Sequence, residues 1–81
     1  MHYHYHPRAI EQLEAAPVSV QDAFYRKVQF LTVNLRHPSL RAKKYDEARS
    51  IWQARITKGW RFYFLIDGDT YIILSITPHP K

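Results

Sequence analysis

The sequence predicts an α+β domain in the order β-α-α-β-β-β, with a helical hairpin packed on a small antiparallel sheet. Three observations carry this expectation. Val20, Phe24, Val28, Leu31 and Leu35 step by four, four, three and four, which is one apolar stripe of a helix. The segments 51–56, 60–66 and 70–77 are rich in β-favouring residues and are separated by turn chemistry. The opening His2-Tyr3-His4-Tyr5-His6 alternates with period two. With 81 residues there is room for one small domain, taken as 1–81.

The elements follow in order. Residues 2–6 read as a short strand, since tyrosine favours strands. Two other readings of the histidines are a remnant purification tag and a metal pinched at spacing two, but no acidic or further histidine ligand lies close by in sequence. Pro7 suits the first turn of a helix, and Ile10 and Leu13 follow at helical spacing, so 7–16 reads as a short helix. Ser19 with Asp22 resembles a capping box at the start of the second helix. That helix ends between Asn34 and Pro38, because the residue before proline avoids helical geometry. Residues 39–49 lack a period and read as a crossing loop. Its Arg41, Lys43 and Lys44 are either a solvated charge cluster or phosphate contacts, with Tyr45 as a stacking surface. Thr57-Lys58-Gly59 and Asp67-Gly68-Asp69 link the last three strands.

Composition bounds the function. Hydrophobic residues make up 46% and aromatics 15%, too rich for a disordered chain. Cysteine is absent, which excludes disulfides and thiolate zinc sites and fits a reducing cytoplasm. No apolar stretch approaches the ~20 residues of a membrane-spanning helix, and Met1 runs into polar residues rather than a signal-peptide core. Lys and Arg total 12 against 7 for Asp and Glu, a net charge of +5. For so small a domain this points to a polyanionic partner, either nucleic acid or an acidic protein.

Strand register sharpens the site. A one-residue slip would turn every core side chain outward. Trp52, Ala54 and Ile56 share a face, as do Trp60, Phe62, Phe64 and Ile66, and as do Ile72, Leu74 and Ile76. Setting Ala54 opposite Phe62 calls for a three-residue loop, 57–59, ending in a left-handed Gly59. Arg55 then lies opposite Arg61 on the other face. Opposed like charges destabilise a sheet. The arginines either splay apart on a wet face or clamp a phosphate between them, with Gln53 one step along. Carrying the pattern onward pairs Phe62 with Leu74 and Arg61 with Ser75, which leaves His79 about 13 Å beyond Ser75 at ~3.3 Å per residue. Histidine moves protons near neutral pH, so a phosphate clamp beside it suggests phosphodiester chemistry.

Other catalytic signatures are missing. With Gly59 and Gly68 the only glycines, there is no phosphate-cradling loop and no nucleophile elbow. Asp67 and Asp69 read as turn residues, Glu11 and Glu14 as solvated, and Asp46 with Glu47 as at most a weak acidic site.

Along nearly its whole length the chain resembles the RelE/ParE superfamily of bacterial toxins. The carriers are the helical pair, His37-Pro38-Ser39-Leu40-Arg41-Ala42-Lys43-Lys44, Trp52-Gln53-Ala54-Arg55-Ile56, Trp60-Arg61-Phe62-Tyr63-Phe64 and Ser75-Ile76-Thr77-Pro78-His79, in that order. The resemblance implies a RelE-like fold and one of two activities. RelE-like members cut messenger RNA, usually at the ribosome, without cofactor or metal. ParE-like members poison DNA gyrase. Both are held inactive by a small, acidic-leaning antitoxin, so a toxin–antitoxin hetero-oligomer is implied. By residue, Arg61 matches the arginine that supports the scissile phosphate, and Arg55 stands where Lys or Arg is frequent. Gln53 stands where some members carry lysine. His79 matches a late histidine or arginine, and the tyrosine that often follows is replaced by Pro80-Lys81. The expected catalytic residues are therefore Arg61, Arg55 and His79. The expected RNA-binding residues are Arg41, Lys43, Lys44, Gln53 and Tyr45. A gyrase poison, or a degenerate non-toxic binding module, is the alternative.

Overall fold

A computed structural model describes residues 1–79. Strand β1 (His2–Tyr5) leads into helices α1 (Pro7–Ala15) and α2 (Val18–Val33). A single 3-10 turn (Pro38–Leu40) then precedes β2 (Lys43–Asp46), β3 (Ile51–Thr57), β4 (Trp60–Asp67) and β5 (Thr70–Pro78). The α+β architecture is as expected. Two details differ. Part of the segment read as a crossing loop is strand β2, pairing antiparallel with β3. The sheet, ordered β1-β5-β4-β3-β2, is mixed, because β1 pairs parallel with β5. The connection from β1 to β5 runs through the helical hairpin and then strands β2, β3 and β4, far longer than the minimum such a parallel pair requires.

Local chemistry explains the helical hairpin. His6 Nδ1 accepts the Arg8 N–H at 3.0 Å, and Pro7 fills the first turn of α1. The expected Ser19 capping box does not form. Pro17 occupies the cap of α2 without a side-chain bond, and Ser19 lies inside the first turn. Gln21 Nε2 instead donates to Ala16 O at 3.0 Å and Glu14 O at 3.4 Å. It thereby satisfies carbonyls at the C-terminal end of α1, groups left without helical partners.

The stripe on α2 does what its spacing demands. Val20, Phe24 and Leu31 are buried and Val28 and Leu35 pack at their edge. Phe24 meets Phe62 edge-on at 5.2 Å. Fully buried Phe62, Phe64, Ile56, Ile73 and Ile76 form the sheet side of the core, each contributing about 1.5–3 kcal/mol by burial. Leu40, wholly buried, pins the connection between α2 and β2.

Register decides what faces outward. Trp52↔Phe64, Ala54↔Phe62 and Arg55↔Arg61 pair as expected. The route differs, because Thr57 pairs with Trp60 and the extra residue is taken up by a bulge between Arg55 and Thr57. The loop is thus two residues, and Gly59 is not left-handed; the glycine that is so is Gly68, φ +59, opening the tight β4–β5 turn. A second bulge shifts β5. Tyr63 pairs with Ser75 but Phe64 with Ile73, so Phe62 faces Ile76 and Arg61 faces Thr77. The expected inward set Ile72, Leu74, Ile76 is replaced by Tyr71, Ile73 and Ile76. A bulge places two residues opposite one and reverses the alternation beyond it. Beyond the end of β1, the Ile76 N–H is taken by Gln12 Oε1 of α1 at 2.8 Å.

Candidate nucleic-acid interface

The outward face of β2, β3 and β4 carries Lys43↔Gln53↔Tyr63 in one row and Arg55↔Arg61 in the next. The bulge in β5 completes the site. With Arg61 opposite Thr77, His79 lies two residues past that partner, about 6.6 Å along the strand. The His79 N–H donates to Gly59 O at 2.7 Å, which ties the strand end to the β3–β4 turn. The result is a cleft of about 220 Å³ lined by Arg41, Lys43, Gln53, Arg55, Arg61 and His79.

Each side chain is placed by its local structure. Arg41 follows the 3-10 turn in left-handed conformation, φ +47, which turns the chain from that element into β2. The turn is capped by His37, whose Nδ1 accepts the Ser39 N–H at 3.2 Å while its ring stacks on Phe30 at 4.1 Å. Arg61 Nη1 lies 2.7 Å from Thr57 O, 2.9 Å from Trp60 O and 3.2 Å from Lys58 O, so the β3–β4 turn holds its guanidinium. Gln53 is buried and its Nε2 donates to the Tyr63 hydroxyl at 3.1 Å. Among the described residues, no carboxylate pairs with Arg41, Lys43, Arg55 or Arg61; the ion pairs present involve His2, Lys44 and Arg49.

The cleft is therefore a concentration of positive charge without internal compensation. Burial, then the charge of Arg55 and to a lesser degree Arg41, lowers the Arg61 pKa, with Tyr63 acting in the opposite sense. An arginine stays charged regardless, so the strain appears as mutual repulsion that a bound anion would relieve.

Two expected contacts lie elsewhere. Lys44 points to the helix side, with Nζ 5.3 Å from the Trp52 ring and 4.0 Å from Glu47. Tyr45 is exposed beside the cleft, edge-on to Tyr63 at 4.8 Å. Sequence reasoning singled out neither Tyr63 nor Lys27 as a binding group. The β3–β4 register by itself sets Tyr63 opposite Gln53 on the arginine face, whereas Lys27 nears that face only through the turn that carries Arg41. At the other end of the sheet, His2 Nε2 lies 3.6 Å from Asp69, a carboxylate that sequence spacing did not bring near the histidines. No group of three metal-ligating side chains occurs among the described residues. No helix among them is long and apolar enough to cross a membrane.

No family model and no curated protein matches this sequence. Solved structures do. The YoeB/ParE toxin from Agrobacterium tumefaciens superposes with a TM-score of 0.83 at 12% identity, over 99% of this chain and 100% of that one. The YoeB dimer from Staphylococcus aureus gives 0.82 at 14% identity, over 99% and 98%. A chain of the archaeal RelE–RelB complex from Pyrococcus horikoshii gives 0.78 at 15% identity, over 95% and 92%. Across nearly its whole length, this chain folds as the RelE and YoeB toxins do.

Proposed function

We propose that the chain is the toxin of a toxin–antitoxin system and that it inhibits translation by cleaving mRNA at the ribosome. The observation that carries this reading is the cleft itself, where Arg41, Lys43, Arg55 and Arg61 converge with His79 and no described carboxylate opposes them. Its chemistry suits a phosphodiester. The ribose 2′-oxygen attacks the adjacent phosphorus, its proton leaves, and the 5′-oxygen departs and takes up a proton. The products are a 2′,3′-cyclic phosphate and a 5′-hydroxyl end. Charge builds on the non-bridging oxygens of the phosphorane, where Arg55 and Arg61 are already in place, and fixed cations stabilise such charge without reorganisation. His79 carries a proton to or from the reacting oxygens. Gln53, its amide held by Tyr63, lies beside the same phosphate. These steps need no metal or cofactor.

The partners follow from the same reading. They are mRNA, the ribosome and a small antitoxin that forms a hetero-oligomer with the toxin; the Pyrococcus horikoshii structure is a complex of RelE with RelB. An acidic antitoxin fits the net charge of +5, with charge aiding encounter. The place of action would be the cytoplasm, which the cysteine-free sequence fits.

One observation favours a second reading. His79 is the single imidazole in the cleft, and Pro80 stands next to it where related toxins often have tyrosine. A ParE-like protein that binds gyrase, or a non-toxic binding module, needs the basic surface and not His79. Induced expression in a bacterial host separates the readings. Growth arrest with new mRNA 5′ ends, both lost in Arg61→Ala and His79→Ala, is expected. Arrest that survives both substitutions together points to the gyrase poison, and no arrest to the non-toxic module.

A further inference from the structure

The basic cleft continues at both ends, and the two continuations differ in chemistry. On one side it opens into a groove of about 450 Å³ lined by Lys27, Ser39, Arg41, Arg55 and Thr57. Arg41 and Arg55 line both spaces, so the groove and the cleft are continuous. Lys27 is half-buried, and its Nζ is held by Ser39 O at 3.0 Å. Burial, then the nearby charges of Arg55 and Arg26, lowers its pKa. No described carboxylate pairs with it.

On the other side, past Tyr63 and Thr77, lies a groove of about 360 Å³ lined by Arg8, Tyr45, Tyr63, Leu74 and Thr77. Tyr63 joins it to the cleft through the hydrogen bond with Gln53, and Thr77 joins it through its pairing with Arg61. Aromatic and aliphatic walls stand beside the hydroxyls of Ser75 and Thr77, with Arg8 of α1 as the charged group. Tyr45 is 61% exposed and its ring is fixed edge-on against Tyr63, at 65°. A large, exposed, oriented ring beside a phosphate-sized cationic cleft is what base stacking uses.

We propose that these three spaces form one track for single-stranded RNA, with a flanking phosphate held between Lys27 and Arg41 and an unstacked base laid against Tyr45 in the Tyr63 groove. The proposal rests on the cleft being the phosphate site. It adds two contacts to that site, Lys27 to a flanking phosphate and Tyr45 to a base; the second requires an unstacked base, because in A-form RNA the bases stay stacked and their faces are covered. The two ends are unlike, one cationic and one aromatic, so the track receives the strand in one direction.

Fluorescence anisotropy with a labelled, uncleavable 2′-O-methyl RNA hexamer tests this, read across a salt series. The same hexamer with single abasic positions and a hexamer duplex serve as further probes. Far-UV circular dichroism on each variant confirms the fold, which exposed Tyr45 does not support. Tyr45→Ala is expected to weaken strand binding by about 5- to 150-fold with an unchanged salt slope. That loss should disappear on one of the abasic hexamers. Lys27→Gln is expected to lower the slope by about 0.7, the value for one phosphate contact on a single strand, and equally on intact and abasic probes. Duplex binding as tight as strand binding overturns the track, as does a Tyr45→Ala variant that binds like wild type. If Arg55→Gln weakens binding while Lys27→Gln and Tyr45→Ala do not, the track fails and the phosphate cleft stands. If wild type binds no RNA at low salt, both fail.

Discussion

Arg55 and Arg61 oppose each other across β3 and β4, and neither has an ion-pair partner among the described residues. Only Arg61 has structural work, in the bonds of its Nη1 to the turn carbonyls. Arg55 therefore contributes charge that the fold does not need, and Arg55→Gln removes that charge while keeping most of the aliphatic stem. Directly opposed residues hold their Cβ atoms about 4.5–5.5 Å apart. Two guanidiniums about 6 Å apart in a water-like dielectric repel by about 0.7 kcal/mol. In a domain of this size, 1 kcal/mol moves Tm by about 4–8 °C. Thermal unfolding followed by circular dichroism should thus show Arg55→Gln melting about 3–6 °C above wild type at low salt. In 1 M salt the screening length falls to about 3 Å and the gain should vanish. The same substitution should reduce the stabilisation that a polyanion gives wild type, about 2.7 kcal/mol at a hundred times the wild-type Kd, by about 1.4 kcal/mol for each tenfold loss of affinity. A lower Tm at low salt, or a gain that persists in 1 M salt, would refute the claim that these charges are held in place for a ligand.

Further outcomes follow from other contacts. Gln12→Ala leaves the Ile76 N–H without its partner and should cost about 1–3 kcal/mol in urea unfolding; a change within error would mean water replaces the glutamine. Phe62→Ala empties the centre of the core, where Phe24 and Phe64 meet it, and should cost about 3–5 kcal/mol, enough to leave much of the protein unfolded. Burial raises the pKa of Tyr3, Tyr5 and Tyr71 above 10.0. A group whose folded pKa is raised lends stability that is complete below the unfolded value and lost as pH climbs through the folded one. Urea midpoints should accordingly hold steady to about pH 10 and fall above it, while absorbance near 295 nm reports some tyrosines ionising late; a midpoint flat to about pH 12 would contradict this.

Periodicity made the helices and the last three strands legible. The stripe from Val20 to Leu35 could pack only one way, and the alternation of Trp52, Ala54 and Ile56 against Phe62 and Phe64 fixed the Arg55–Arg61 pair. Bulges were not legible. Nothing in Tyr71-Ile72-Ile73-Leu74-Ser75 announces that the alternation reverses there, because all but the last are apolar and either phase buries something. That reversal moves His79 toward Arg61 rather than away from it, so the sequence reading placed the catalytic candidates further apart than the fold does. Strand β2 was hidden for another reason. Lys43-Lys44-Tyr45-Asp46 sits at the sheet edge, exposed on one face and half-buried on the other, where charge guards against aggregation and erases the apolar signal. The nearness of Lys27 to Arg41 could not be read from its helix, since it depends on the 3-10 turn and the left-handed Arg41 that follow.

The most direct test of the account is primer extension on an mRNA translated in a reconstituted system with purified protein, beside Arg61→Ala and His79→Ala of verified fold. The expected result is a set of discrete cuts that require the ribosome, end in 2′,3′-cyclic phosphates, and disappear in both variants. Intact mRNA in the presence of a folded, growth-arresting wild-type protein would contradict it and leave the cleft as a binding surface for another anionic target.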